Sequence, residues 1–287
     1  MQELIAPFLY DYMLKAMFVS ALVGAVCAFL SAFLMLKGWS LMGDALGHAV
    51  VPGVAGAYLL QMPYAAGAFI SGMLAALGMA FVKQRTRLRE DAVIGLVFTT
   101  FFAAGLLIAS IYPTSINIQT IVLGNILGIS DDDVVQVVII AAVSMIILIA
   151  KWRDLVVVFF DETHARTVGI NAFALKIVFF TLLAACTVAA LQTVGACLVI
   201  AMVVTPGATA YLLTDRFGRL IILSVLIGAG TSFFGAYISY FLDGATGGVI
   251  VTLQTLLFLA AFYLAPKHGV LASRRRQASA SSEGAIP

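Results

Sequence analysis

Nine apolar stretches, each about 17–25 residues long, fill most of this sequence. They run Tyr12–Leu36, Leu41–Leu60, Pro63–Val82, Ala92–Tyr112, Val134–Ala150, Ala172–Leu191, Val194–Leu213, Leu220–Leu242 and Val249–Ala265. A helix needs roughly 20 such residues to cross the hydrocarbon core, whereas a transmembrane barrel would show short alternating strands. The stretches are continuous, so the spans are helical and the chain is an all-α integral membrane protein with about eight or nine of them. Composition agrees: 62% of residues are hydrophobic and 10% charged, against about 25% charged in an average soluble domain.

The first stretch is read as a retained span. From Ala16 to Leu36 it exceeds the apolar core of about 7–15 residues in a secretory signal, and no small-residue cleavage site precedes Lys37. Cys27, Cys186 and Cys197 each lie inside an apolar segment without a C-x-x-C pair, which marks them as small buried hydrophobes.

Basic residues gather in Lys83–Asp91 ("KQRTRLRED"), Lys151–Asp154 ("KWRD") with the polar loop on to Lys176, Asp215–Arg219 ("DRFGR") and Lys267–Arg276. The positive-inside rule puts these four segments, and Lys37, in the cytoplasm. Nine spans then alternate consistently, with the N-terminus external, the C-terminus cytoplasmic, and Pro113–Asp133 and Asp243–Gly248 outside. Within the first of these outer loops, Ile116–Ser130 is too short to span and reads as a re-entrant or interfacial helix. Residues 1–271 are expected to form one transmembrane domain, with a cytoplasmic loop at 152–171. A basic and then disordered tail follows over 272–287.

The acidic residues are few enough to audit individually. Thirteen of the fourteen fall at span ends, in loops or in tails, and Asp44 alone lies within an apolar stretch. Between Ala45 and Val82 there is no Asp, Glu, Lys or Arg, and His48 is the one His. At i and i+4 on a helix, Asp44 and His48 share a face. A charge at the bilayer centre costs at least ~2.5–3.5 kcal/mol on insertion scales, so such a group marks function unless it sits near a span end. The topology places Asp44 near an end.

Two readings therefore stay open on residue chemistry. In one, Asp44 caps the second helix and His48 bonds a backbone carbonyl. In the other, the carboxylate and the imidazole face a water-filled path and bind a divalent metal. Mixed oxygen and nitrogen donors suit Mn²⁺, Fe²⁺ and Zn²⁺, while Mg²⁺ and Ca²⁺ prefer oxygen alone and Cu⁺ prefers sulfur. Two ligands make a weak site, which is what a transported ion requires if it is to leave.

Pro52 and Gly53 interrupt the second stretch, and Pro206 and Gly207 interrupt the seventh. "VVPGVAGAY" (Val50–Tyr58) echoes "VVTPGATAY" (Val203–Tyr211) in spans of opposite direction, and paired breaks of this kind point to a transporter's substrate path. Chance explains so short a match about as well as ancestry does. Phe159–Ile170 ("FFDETHARTVGI") is charged and long enough for a short cytoplasmic helix, with His164 expected to be exposed. No P-loop, H-E-x-x-H or G-x-S-x-G occurs, so the chain carries no visible set for hydrolysing nucleotide, peptide or lipid.

The segments "LKGWSLMGDALGHAVVPGVAGAYLL", "QRTRLREDAVIGLVF", "PTSINIQTIVLGNILGI", "FFDETHARTVGI", "AALQTVGACLVIAMVVTPGATAYLLTDRFGR" and "GATGGVIVTLQTLLFLAAFYLAPKHG" resemble the permease subunits of metal-ion ABC importers. The manganese and chelated-iron branch is the nearest, and the resemblance covers Leu4 to about Leu271.

It implies a permease fold of the vitamin B12 importer type (type II) in a bacterial cytoplasmic membrane. The permease would work as a homo- or heterodimer, with two cytoplasmic ATPase subunits and an extracytoplasmic metal-binding protein. It also implies metal in the path at Asp44 and His48, although the family often has Ser where this chain has Gly47. A coupling helix would fall on Asp161–Gly169, where Asp161, Glu162, Ala165, Arg166 and Gly169 match. The chain itself would be no enzyme and hold no permanent cofactor, Mn²⁺ or Fe²⁺ being its cargo, with Zn²⁺ compatible. Two alternatives are a proton-coupled metal carrier working without an ATPase, and an intramembrane enzyme using Asp44 and His48 as an acid–base pair.

Overall fold

A computed structural model describes residues 6–39, 41–112 and 130–265. Eleven α-helices follow a short 3₁₀ turn at Ala6–Leu9, and no strand occurs among the described residues. They are α1 (Asp11–Lys37), α2 (Met42–Ala49), α3 (Val51–Leu59), α4 (Tyr64–Arg85), α5 (Glu90–Ile111), α6 (Asp131–Phe160), α7 (Glu162–Thr167), α8 (Ala172–Val194), α9 (Ala196–Leu213), α10 (Phe217–Leu242) and α11 (Thr246–Leu264).

Seven of these helices are long and apolar enough to cross a membrane. The other two predicted spans are the ones carrying Pro-Gly. The second is split into α2 and α3, while the seventh forms α9, which runs unbroken through Pro206. The split has a local cause: a proline has no N–H to donate and its ring crowds the carbonyl four residues back.

One boundary moves substantially. The fifth span was expected to end at Ala150, but α6 continues to Phe160, so Lys151–Asp154 is helical and pairs internally, Lys151 Nζ to Asp154 Oδ2 at 3.2 Å. At its other end, Ser130 caps α6 by accepting from the Asp133 N–H, and three aspartates occupy the first turn, where the helix dipole favours negative charge. The segment Ile116–Ile129 and the tail Gln277–Pro287 lie outside the described residues, as does the basic segment Lys267–Arg276.

The bundle is built around α1. Of its most apolar window 78% is buried, against 22% for α5, α6 and α11. In lipid no hydrophobic force pulls apolar helices together, so close packing through small residues does so instead. Helix α1 meets α10 across Gly24 and Gly228: a Cβ on Gly24 would lie 2.6 Å from the Gly228 carbonyl oxygen. Nearby, Ser224 Oγ donates to the Ala28 carbonyl at 2.6 Å.

Contacts sort the helix ends into two groups. At one end Lys15 pairs with Asp131 at 2.6 Å and Tyr10 packs on Tyr240. At the other, Phe33 packs on Phe217 with ring centroids 5.1 Å apart, Phe159 on Phe179 at 4.7 Å, and the Trp39 Nε1–H donates to Glu90. The basic segments around Lys83–Asp91, Asp161–Lys176 and Asp215–Arg219 thus share one end of the bundle with Lys37, as alternating spans require.

Candidate functional site

Helix α2 begins at Met42 with Leu41 as its N-cap and no side-chain capping bond. Asp44 is therefore inside the first turn and does not cap the helix. Its Oδ1 lies 3.2 Å from Nε2 of His48, one turn on. The two side chains keep 37% and 29% of their surface exposed, in that order. Both side chains are thus partly open.

The pair is deeper than the sequence suggested. The ring of His48 makes T-shaped contacts with Phe98 and Phe102 of α5 at centroid distances of 5.2 and 5.4 Å. At 1.5 Å per residue these phenylalanines lie about 12 and 18 Å along a helix about 33 Å long. Gly43 faces Val203 of α9, itself about 15 Å from the end of that helix. By both neighbouring helices, the pair sits at mid-height of the bundle. Helix α2 starts near the basic end, where Trp39 bonds Glu90 at the start of α5, and carries His48 inward one turn beyond Asp44.

Phe98 and Phe102 stack on each other, 9° from parallel and 6.0 Å apart, and form a wall that fixes the plane of the imidazole. With the ring so held, Nε2 addresses Asp44. Sequence reasoning passed over these two residues, although their i, i+4 spacing on an apolar helix was visible.

Pro52 shapes the far side of the pair. It cannot donate to the His48 carbonyl, so α2 stops at Ala49 and that oxygen loses its usual partner four residues on, receiving the C-cap Val50 N–H in its place. The Ala49 carbonyl is taken up by Ser71 Oγ of α4 at 2.6 Å. Gly53 lets α3 lie directly on α4, since a Cβ there would be 2.1 Å from the Gly67 carbonyl oxygen.

The second break is treated similarly. Pro206 stands inside α9, Ser31 Oγ of α1 donates to the Val204 carbonyl at 3.0 Å, and the Gly207 N–H donates to Ser31 Oγ at 3.0 Å. A Cβ on Gly207 would lie 2.4 Å from that oxygen. Each Pro-Gly pair thus has a serine from a neighbouring helix bonded to the backbone beside it, a role that neither serine's sequence context announced.

Among the described residues no group of three or more His, Cys, Asp or Glu could hold a metal. Asp44 and His48 offer one oxygen and one nitrogen, too few to retain an ion tightly but adequate to dwell on one in passing. Cys27 and Cys186 are buried free thiols away from this arrangement. The side chain of Cys197 lies outside what is described.

Within Phe159–Ile170, α6 ends at Phe160 and α7 spans Glu162–Thr167. Asp161 caps it, accepting from the N–H groups of Thr163 and His164 at 2.8 and 3.1 Å. Ala165 is fully buried beneath it. Gly169, at φ +82°, closes it with an N–H bond to the Arg166 carbonyl, while the Ile170 N–H reaches Ala165. Glu162 pairs with Arg166 at 2.9 Å and with Lys176 of α8. The Lys176 ammonium bond holds the Glu162 carboxyl below the usual glutamate value, partial burial opposes this, and Arg166 adds to it. His164 is exposed, as its position predicted.

All five residues expected in a coupling helix therefore occur in one capped, ion-paired turn tied to α8. The sequence did not reveal Lys176 as the tie.

Comparison with known proteins fixes the lineage. The model of the ABC 3 transport family matches residues 9–265. The chain is 71% identical to the chelated iron transport system membrane protein YfeC of Yersinia pestis over 96% of its own length and 94% of that protein. It is 46% identical to the manganese transport system membrane protein MntB of Synechocystis, over 96% and 90% of the two chains.

Among solved structures, PsaBC from Streptococcus pneumoniae in complex with Fab contains a chain that superposes with a TM-score of 0.83. The sequence identity is 32%, and the match covers 95% of this chain and 99% of that one. The apolar helices, the two serine-bridged breaks and these matches lead to one conclusion: the chain belongs to the ABC 3 transport family and is a multi-pass membrane permease subunit, a transport component and not an enzyme.

Proposed function

We propose that this chain forms half of the membrane pathway of an ATP-driven importer for divalent transition metal, Mn²⁺ or Fe²⁺, with Zn²⁺ within reach of the same donors. The observation that carries the reading is the Asp44–His48 pair, half open at mid-height in a bundle that otherwise keeps carboxylates at its ends. Relatives named for chelated iron and for manganese transport support the cargo class.

The pair supplies two donors. The His48 carbonyl, left without its helical partner by Pro52, and water complete a transient shell, or a second permease copy supplies the same pair across a shared axis. Phe98 and Phe102 keep the imidazole pointed at the ion. The breaks at Pro52–Gly53 and Pro206–Gly207 give the path elements that can rearrange without separating whole helices.

Two ATPase subunits would dock on α7, with Asp161, Glu162, Ala165, Arg166 and Gly169 holding its shape and Glu162–Lys176 passing its displacement to α8. An extracytoplasmic binding protein would deliver the metal to the opposite end. The basic end faces the cytoplasm in this reading, and the N-terminus lies outside.

The test is uptake of radioactive manganese by cells lacking other importers and expressing the complete system. Asp44→Ala and His48→Ala are each expected to abolish uptake while the protein remains in the membrane. Normal uptake by both variants at normal expression would refute the ligand role. Uptake by the purified chain alone in liposomes under a proton gradient would overturn the ATP-driven assignment.

A further inference from the structure

Where the basic end of the bundle meets α7, a cavity of about 430 Å³ opens between α1, α4, α5, α7 and α8. That volume is within the ~300–1,000 Å³ range of small-molecule sites. Its position is at the level where α1 and α4 end and α5 begins, at the membrane surface of the proposed topology.

The lining divides into two halves. Four cationic side chains, Lys37, Lys83, Arg166 and Lys176, face two carboxylates, Glu90 and Glu162. Both carboxylates are already engaged: Glu90 by Lys83 at 3.3 Å and by the Trp39 indole, Glu162 by Arg166 and Lys176. Lys37 is half-buried and, among the described residues, has no ion pair and no hydrogen bond from its ammonium. The rim therefore carries a net charge of +2 with one cation unmatched. The rest of the wall is apolar, formed by Met42, Met79, Ile94, Phe173 and Phe180.

A soluble anion would use the cations and leave the apolar wall bare. An amphiphilic anion uses both. Basic pockets between transmembrane helices at the cytoplasmic surface suit acidic lipid headgroups, and the end of α4 with the adjoining loop adds Arg85, Arg87 and Arg89 to the local field.

We infer that this cavity is a binding site for an anionic phospholipid of the adjacent leaflet, its phosphate on Lys37 and Lys83 and its acyl chain against Phe173, Met79 and Ile94. A lipid seated there lies against Glu162 and Arg166, so it joins the coupling turn to the membrane helices and gives transport a dependence on acidic lipid.

The experiment is native mass spectrometry of the complete importer, delipidated and then titrated with phosphatidylglycerol, with phosphatidylcholine or with inorganic phosphate. The wild type is expected to retain phosphatidylglycerol in preference to phosphatidylcholine. Lys37→Gln is expected to weaken that retention about fivefold, the value of one lysine at an anionic surface. Phe173→Ser, at a position 57% exposed, is expected to weaken it as well.

Equal retention of the two lipids overturns the inference, as does retention unmoved by both variants. Displacement of phosphatidylglycerol by millimolar phosphate, with Phe173→Ser indistinguishable from wild type, identifies a free-anion site and overturns the lipid assignment. None of these readouts involves metal uptake, so they fail or succeed independently of the proposed function.

Discussion

Substituting Gly67 by Ala tests whether backbone contact between α3 and α4 holds the Pro52 break in place. A Cβ on Gly67 would sit 2.3 Å from the Gly53 carbonyl oxygen and 2.6 Å from Cβ of Ala57, whereas real Cβ contacts essentially never fall below 3.0 Å. The carbonyl oxygen is main chain and cannot rotate away, so the helices must part by roughly 0.7 Å or more. Overpacking of this kind costs about 1–3 kcal/mol, and a rigid backbone neighbour puts the case in the upper half. The gain in helix propensity from Gly to Ala returns at most about 1 kcal/mol. The net loss is about 1–2 kcal/mol, or about 2–8 °C of melting temperature for a chain of this size.

Gly78 lies on the same helix with nothing within 4 Å of where a Cβ would sit, so Gly78→Ala is expected to be neutral or slightly stabilising. The assay is thermal unfolding of the detergent-purified protein, followed by intrinsic fluorescence, with metal uptake measured in parallel. Gly67→Ala should also reduce uptake, because α3 carries Pro52 and parting it from α4 strains the 2.6 Å bond between Ser71 and Ala49 beside His48. A melting temperature for Gly67→Ala at or above that of Gly78→Ala would refute the close-contact reasoning.

Phe98→Leu keeps apolar volume but removes one of the two T-shaped ring contacts to His48. With ring–ring contacts contributing about 0.5–1.5 kcal/mol, half-saturation of uptake is expected to rise by at most about tenfold with little change in maximal rate; an unchanged half-saturation would show that the rings do not orient the ligand. For Glu162 the sign follows from its lowered carboxyl pKa: the stabilisation from its ion pairs is fully present above the ordinary value of 4.5 and is lost only as pH falls through the lower folded value. Protease protection of the 160–170 segment should accordingly hold at pH 5 and fall only below about 4.5, with Glu162→Gln removing that dependence; loosening between pH 7 and 5 in the wild type would contradict it.

Much of the architecture was legible because a membrane imposes its own arithmetic. All nine apolar stretches occur as helices or broken helices, since an apolar run of that length has no other way to satisfy its backbone in lipid. The errors fell where the chain leaves the hydrocarbon. Helix α6 runs past Lys151, because nothing at Lys151–Asp154 breaks a helix and the charges there simply pair along it.

The Asp44–His48 pair, the Pro-Gly breaks and the α7 residues were all readable from the sequence, for each depends on local spacing: i, i+4 on a helix, a proline without its N–H, a capping aspartate and a closing glycine. Their setting was not. That the pair lies at mid-height, that Phe98 and Phe102 hold the imidazole, that Ser31 and Ser71 bridge the two breaks, and that Lys176 ties α7 to the bundle all depend on residues 14 to 173 positions apart meeting in space. Sequence periodicity records which face of a helix is apolar. Which neighbour covers that face is decided only by the packing of whole helices, through contacts as close as Gly24 on Gly228 and Gly53 on Gly67.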